Sequence, residues 1–227
     1  MNPVAVALPL SVAGAGALAF AARRSPAAAS ALRRALACLL LVSEATLLLW
    51  PMVARSWAAS STLPLQLSDL ATILLIGALA WPRRRRLAGL AYLLAAPSSL
   101  LAIAFPAPGA IPPSPLYYAF WVDHASLLAG AMVIAAGPPG PSIGWTRVAW
   151  AWLATAALAA VDGAVNLVTG GDYMFLRRPP AGWDPLRIMG PWPAYVFVAF
   201  LACPLVLVVV GLPVWGRAGT NPQAEGT

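Results

Sequence analysis

Seven long apolar stretches dominate this sequence, and each is close to the length that a helix needs to cross a bilayer. The hydrocarbon core requires about 20 consecutive apolar residues, and a helix is the element that bonds its own backbone there. The stretches are Val4–Ala22, Leu36–Ala54, Leu65–Trp81, Leu87–Phe105, Tyr117–Ala136, Trp145–Val168 and Trp192–Trp215. We therefore predict an all-α fold, a polytopic bundle of seven transmembrane helices.

The composition supports this prediction and excludes several classes of protein. Hydrophobic residues make up 61% of the chain and charged residues 9%, whereas soluble domains average roughly 45–50% and 25%. A disordered chain, a nucleic-acid-binding domain and most soluble enzymes are excluded. Membrane lipids are the predicted partners, with no nucleic acid, and the predicted location is the cell membrane. The sequence contains no metal-ligand cluster or nucleotide-binding loop, so we predict no metal and no cofactor.

The arginines predict an orientation, because cytoplasmic loops of membrane proteins carry an excess of positive charge. With the N-terminus outside, ten of the fourteen arginines fall in cytoplasmic segments, mainly around 23–34 and in Arg83–Arg86. The C-terminus is then cytoplasmic. We predict one transmembrane domain over 1–217 and a disordered cytoplasmic tail over 218–227. Since the first arginines follow the first apolar stretch, that stretch is predicted to be a span and not a signal peptide.

Prolines predict breaks in the helical pattern, because proline lacks a backbone N–H and ends or kinks helices. We expect the fourth span to be interrupted at Pro97. The connections 106–115 and 137–144 are proline-rich and are expected to be short, stiff links.

Ionisable side chains within the apolar stretches indicate a candidate site, because each costs roughly 2.5–3.5 kcal/mol at mid-helix. In the predicted orientation Glu44 lies near mid-membrane and the others lie in the outer half. Gln66 and Asp69 are three residues apart, and Asp162 and Asn166 are four apart, so each pair shares a helix face. The ionisable set is Glu44, Asp69, Asp123, His124 and Asp162. We predict one polar cluster that opens to the non-cytoplasmic side; hydrogen bonding between helices is the alternative role.

A segment rich in aromatic, apolar and arginine residues follows the sixth span, between Thr169 and Pro193. Such a composition is typical of the headgroup interface. We expect this segment to form a lid over the outer mouth of the polar cluster. Its arginines, which oppose the charge rule, either contact lipid phosphate or are simply solvated.

At these residues the sequence resembles the YwaF-like, seven-span integral membrane proteins of bacteria. The matching stretches cover most of the chain in order: Glu44–Trp50, Leu63–Leu70, His124, Asn166–Pro179 and Gly190–Tyr195. That family is in turn distantly similar to multi-pass lipid acyltransferases and fatty-ester hydrolases that pair a Cys or Thr nucleophile with a His. Where the family usually reads Leu-His-Leu-Cys-Asp, this chain has Gln66 for the His and Ser68 for the Cys, and it retains Asp69.

The resemblance implies a membrane-embedded acyltransferase or ester hydrolase that acts on lipid acyl esters. Ser68 would be the nucleophile, His124 the general base, and Asp69, Asp123 or Asp162 the acid that orients the imidazole. Asn166 or Tyr173 would supply an oxyanion donor, and Glu44 and Gln66 complete the predicted binding residues. Two alternatives stay open, a transporter or channel for a small cation, proton or polar solute, and a non-catalytic scaffold.

Overall fold

The computed structural model describes residues 3–107, 109–180 and 184–216, and these residues form seven α-helices, three short 3-10 segments and no strand. The helices are α1 (Pro3–Arg24), α2 (Pro26–Val53), α3 (Leu67–Ala80), α4 (Arg85–Ala104), α5 (Pro115–Ala136), α6 (Trp145–Thr169) and α7 (Ala194–Gly211). The predicted all-α fold is confirmed. The predicted tail, residues 218–227, lies outside the described residues.

Six of these helices are long and apolar enough to cross a membrane, whereas α3 is shorter. Its 14 residues rise about 21 Å, which is less than the roughly 30 Å hydrocarbon core. The helix begins at Leu67 because Gln66 is extended and its backbone N–H donates to Asp69 Oδ2 at 2.7 Å. Residues 54–66, which connect α2 to α3, form a loop. Seven spans and the orientation of the termini stay predictions.

The second helix begins at Pro26, ten residues before the predicted start of the span. Ser25 is the N-cap, since its hydroxyl accepts from the backbone N–H of Ala28 at 3.2 Å, and Pro26 occupies the first turn. Both are common helix-start residues, and the alanines that follow favour helix. Arg33 and Arg34 therefore lie on α2 and not in a loop, and their cytoplasmic position stays a prediction.

The prediction of a break at Pro97 is wrong, because α4 continues through this residue to Ala104. A proline removes one backbone hydrogen bond, and membrane helices tolerate that loss when other groups bond the neighbouring carbonyls. Here the hydroxyl of Ser98 donates to Leu94 O and that of Ser99 to Ala95 O, each at 2.7 Å. Both added bonds lie directly after the missing one and stabilise the helix there.

Helix α5 is central, since it packs against α1, α2, α3 and α4, while α6 packs against α4 and α7. The core between these helices consists mostly of leucine and alanine. One end of the bundle is where α2, α4 and α6 end and where α3, α5 and α7 begin. We call it the lid end. The opposite end is the arginine end, where Arg33 Nη2 donates to Pro138 O at 2.6 Å and Ser142 N donates to Arg85 O at 3.0 Å.

Candidate functional site

Four carboxyl side chains from four helices lie together in the lid-end half of the bundle. Asp69 on α3 is close enough to interact electrostatically with Glu44 on α2, Asp123 on α5 and Asp162 on α6. The latter three are buried, and Asp162 is 0% exposed. We call these four residues the carboxylate cluster. The structure thus brings together acidic residues that are up to 118 positions apart in the chain.

Several polar atoms in and beside this cluster have no hydrogen-bond partner among the described residues. They are Glu44 Oε2, both carboxylate oxygens of Asp162, and Oγ1 of the neighbouring Thr72. Thr72 lies near Asp123 without meeting hydrogen-bond geometry. Buried polar groups are nearly always bonded to protein or to ordered water, so these atoms are available to water or to a ligand.

Asp123 is hydrogen-bonded to a side chain of another helix, and this partner comes from α2. The hydroxyl of Ser43 donates to Asp123 Oδ1 at 2.8 Å and also lies 3.1 Å from Leu40 O. Ser43 and Thr72 were absent from the predicted site residues. A signal existed for both, because Ser43 precedes Glu44 and Thr72 lies one helical turn after Asp69.

The start of α3 holds the remaining predicted residues of that helix. Gln66 Oε1 accepts from the backbone N–H of Met174 at 3.2 Å, so this side chain connects α3 to the segment after α6. Asp69 caps the helix through the N–H of Gln66. Ser68 is half-buried at the second position of α3. Within the described part of the chain its hydroxyl makes no hydrogen bond, and it is not bonded to His124.

His124 is buried on α5 and is held by its own helix. Its Nδ1 lies 2.8 Å from Phe120 O, and its ring packs on that of Phe120 with centroids 4.4 Å apart. Asp123 Oδ2 is 4.0 Å from the same nitrogen. In a neutral imidazole Nδ1–H therefore donates to the carbonyl, which leaves Nε2 as the basic nitrogen.

The segment between α6 and α7 folds back onto the start of α3, and hydrogen bonds of Asn166 and Tyr173 hold it there. Tyr173 N donates to Asn166 Oδ1 at 2.8 Å, and Asn166 Nδ2 donates to Tyr173 O at 3.1 Å. The Tyr173 hydroxyl donates to Ala59 O at 2.8 Å and accepts from Leu63 N at 2.9 Å. Burial raises the pKa of the Tyr173 phenol, so the hydroxyl keeps the proton that it donates. We call residues 170–180 and 184–193 the lid.

Two glycines let the lid turn and approach the loop before α3. Gly170 ends α6 in the left-handed conformation, with φ of 74°, which glycine adopts without steric cost. A Cβ on Gly171 would lie 2.6 Å from Ser60 O, so only glycine fits at this contact. Beyond them Met174 and Phe175 both have φ of 53°, an unusual conformation for residues with a side chain.

The lid arginines bond within the lid itself. Arg177 Nη1 donates to Gly171 O at 3.2 Å, and Arg187 Nη2 donates to Pro180 O at 2.8 Å. Arg178 Nε lies 3.4 Å from Asp172 Oδ2. These contacts give the arginines a role in shaping the lid.

Apolar side chains close the bundle on the arginine side of the carboxylate cluster. Leu40, Leu75 and Leu127 are fully buried in one hydrophobic core. Gly130 allows close packing there, since a Cβ at this position would lie 2.8 Å from Leu75 Cδ2. We call these four residues the apolar plug.

Comparison with known proteins identifies the family. The family model described as the TMEM164 family matches residues 3–210, which is nearly the whole chain. No curated protein and no solved structure matches the chain. The narrower resemblance to YwaF-like proteins and to acyltransferases stays a prediction. The chain is a multi-pass membrane protein that belongs to the TMEM164 family.

Proposed function

We propose that this protein acts on acyl esters of membrane lipids, by acyl transfer or hydrolysis, in the lid-end half of the bundle. The observation that carries the proposal is the position of the carboxylate cluster, which the lid covers at one side and the apolar plug closes at the other. A polar site that ends inside the bundle suits a reaction on a lipid. A transport path for ions or polar solutes would need polar groups that continue to the arginine end.

The proposed reaction uses Ser68 as the nucleophile and His124 as the base. Ser68 Oγ attacks the ester carbonyl carbon while His124 Nε2 takes the hydroxyl proton. The C–O bond to the lipid alcohol then breaks, and that alcohol leaves with the proton. Water, in hydrolysis, or the hydroxyl of a second lipid, in transfer, next attacks the acyl-serine and releases the acyl group.

Two local features support these roles. Phe120 O fixes Nδ1 of His124 as the donor, which is the tautomer a base at Nε2 requires. Ser68 lies in the first turn of α3, where helix N–H groups lack intrahelical acceptors and the helix dipole favours a developing oxyanion. Ser68 and His124 are not hydrogen-bonded to each other, and catalytic bonds of this kind often tighten only with substrate bound.

Covalent labelling tests this proposal. Purified protein in lipid nanodiscs is treated with a serine-reactive phosphonate ester that carries an alkyl chain, and the labelled residue is mapped by mass spectrometry. We expect the label on Ser68, none in Ser68→Ala, and a large decrease in His124→Ala, because a serine depends on its base. Ser68→Cys should retain ester cleavage, since a thiol ionises more readily.

The matched control is Ser98→Ala on α4, whose hydroxyl bonds to carbonyls of its own helix. This variant should be labelled like the wild type. Equal labelling of Ser68→Ala and wild type would refute the serine mechanism and leave the carboxylate cluster as a binding or structural site.

A further inference from the structure

A groove between α2 and α5 opens on the side of the bundle near the lid end. Its volume is about 400 Å³, which is within the usual range for small-molecule sites. Most of its walls are apolar, and three hydroxyl residues, two from α2 and one from α5, contribute the polar part. The lining residues are Leu39, Val42, Ser43, Thr46, Pro113, Pro115, Tyr118, Ala119 and Val122.

The surroundings of the groove indicate which kind of molecule binds in it. Val42 and Val122 are exposed large apolar side chains on two helices of membrane-spanning length, so hydrocarbon surrounds the groove. Neither water nor a polar solute is favoured against such walls. A single acyl chain is narrow and flexible, and the surrounding hydrocarbon supplies such chains.

The groove also leads to the carboxylate cluster. Ser43 lines the groove, and its hydroxyl donates to Asp123 Oδ1 at 2.8 Å. One buried side chain therefore touches both the lipid-facing groove and the polar cluster. Thr46 lines the groove one turn nearer the lid end, and its own hydroxyl bonds to Val42 O at 2.8 Å.

We propose that one acyl chain of a membrane lipid binds in this groove with its polar end at Ser43, and that the groove is the lateral entrance to the carboxylate cluster. The role as an entrance rests on the proposed function, whereas binding of the chain does not. The geometry needs no movement of the lid, because the groove lies between α2 and α5 and reaches Asp123 from α2.

Photocrosslinking tests the occupant. The full chain is reconstituted in nanodiscs with phosphatidylcholine that carries a diazirine in one acyl chain, irradiated, and mapped by mass spectrometry. We expect crosslinks concentrated on residues 39–46 and 115–122, above the level on the exposed face of α7 around Leu201 and Leu205.

A matched pair of variants gives the control. Val122→Trp fills the groove and should lower the crosslinks to it several-fold. Val209→Trp introduces the same bulk on α7, at a position 55% exposed against 43% for Val122, and should leave them unchanged. Crosslinks spread evenly over all lipid-facing helices, or unchanged in Val122→Trp, would overturn the proposal.

The two proposals fail separately. If the groove crosslinks as expected but Ser68→Ala still reacts with the phosphonate probe, lipid binding stands and the serine mechanism falls. If Ser68 is labelled but Val122→Trp changes neither crosslinking nor labelling rate, the reaction stands and the groove is not its entrance.

Discussion

Asn166→Leu is the substitution that tests the closed lid most directly. The leucine is similar in size and suits a helix, but it removes both hydrogen bonds that join α6 to Tyr173. Tyr173 is 2% exposed, so its backbone N–H and C=O would lose their partners in a buried place. Each such group costs about 1–3 kcal/mol when left unpaired.

Two unpaired groups set an upper range of about 2–6 kcal/mol. Leucine has a higher helix propensity than asparagine by less than about 1 kcal/mol, which offsets a small part of this loss of stability. Local rearrangement lowers the loss further. We therefore expect a loss of roughly 2–4 kcal/mol, or a decrease in Tm of roughly 4–16 °C for a chain of this size.

Fluorescence size-exclusion chromatography of heated, detergent-solubilised protein measures this change. The control is Leu167→Ala at the next position of α6, where the side chain is 84% exposed and contributes little to packing. The reasoning is refuted if Asn166→Leu has the Tm of the wild type or loses no more than the control does.

Three further predictions follow from the same structure. Gly171→Ala should destabilise the lid by roughly 1–3 kcal/mol, measurable by the same melting assay, because the backbone carbonyl of Ser60 cannot easily move away. Gly130→Ala should cost less than Gly171→Ala in that assay, since the crowded atom is the flexible end of Leu75. Cysteines introduced into the lid should react with an impermeant reagent added outside cells, and those within Arg83–Arg86 only after permeabilisation; the reverse pattern would contradict the predicted orientation.

The apolar stretches predicted the long helices well, because an 18- to 25-residue hydrophobic run permits one structure in a bilayer. Hydropathy predicted the helix ends poorly where polar side chains determine them. Arg33 appeared to belong to a loop, yet α2 includes it, because Ser25 caps the helix and Pro26 begins it well before the apolar stretch. The start of α3 depends on how Asp69 caps Gln66, and hydropathy does not register a cap.

The carboxylate cluster was predictable in outline, since ionisable groups at similar depth in different spans must find one another or remain costly. The lid contacts were not predictable. Gln66, a predicted substrate-binding residue, accepts a hydrogen bond from Met174 in the lid. The hydroxyl of Tyr173, a predicted oxyanion donor, bonds to Ala59 and Leu63, and both roles stay predictions. These contacts depend on the path of an irregular segment, and no periodicity in the sequence encodes that path.

A ligand that enters the carboxylate cluster between α2 and α5 breaks fewer hydrogen bonds than a ligand that enters through the lid. Lifting the lid would break five hydrogen bonds, made by Asn166, Tyr173 and Gln66. At a net value of about 1 kcal/mol each, the open lid would be populated roughly once in several thousand molecules. Passing Ser43 breaks one bond to Asp123, and a ligand hydroxyl or carbonyl can replace it. A lipid chain that is already in the hydrocarbon reaches Ser43 through the α2–α5 groove without breaking any of the five lid bonds.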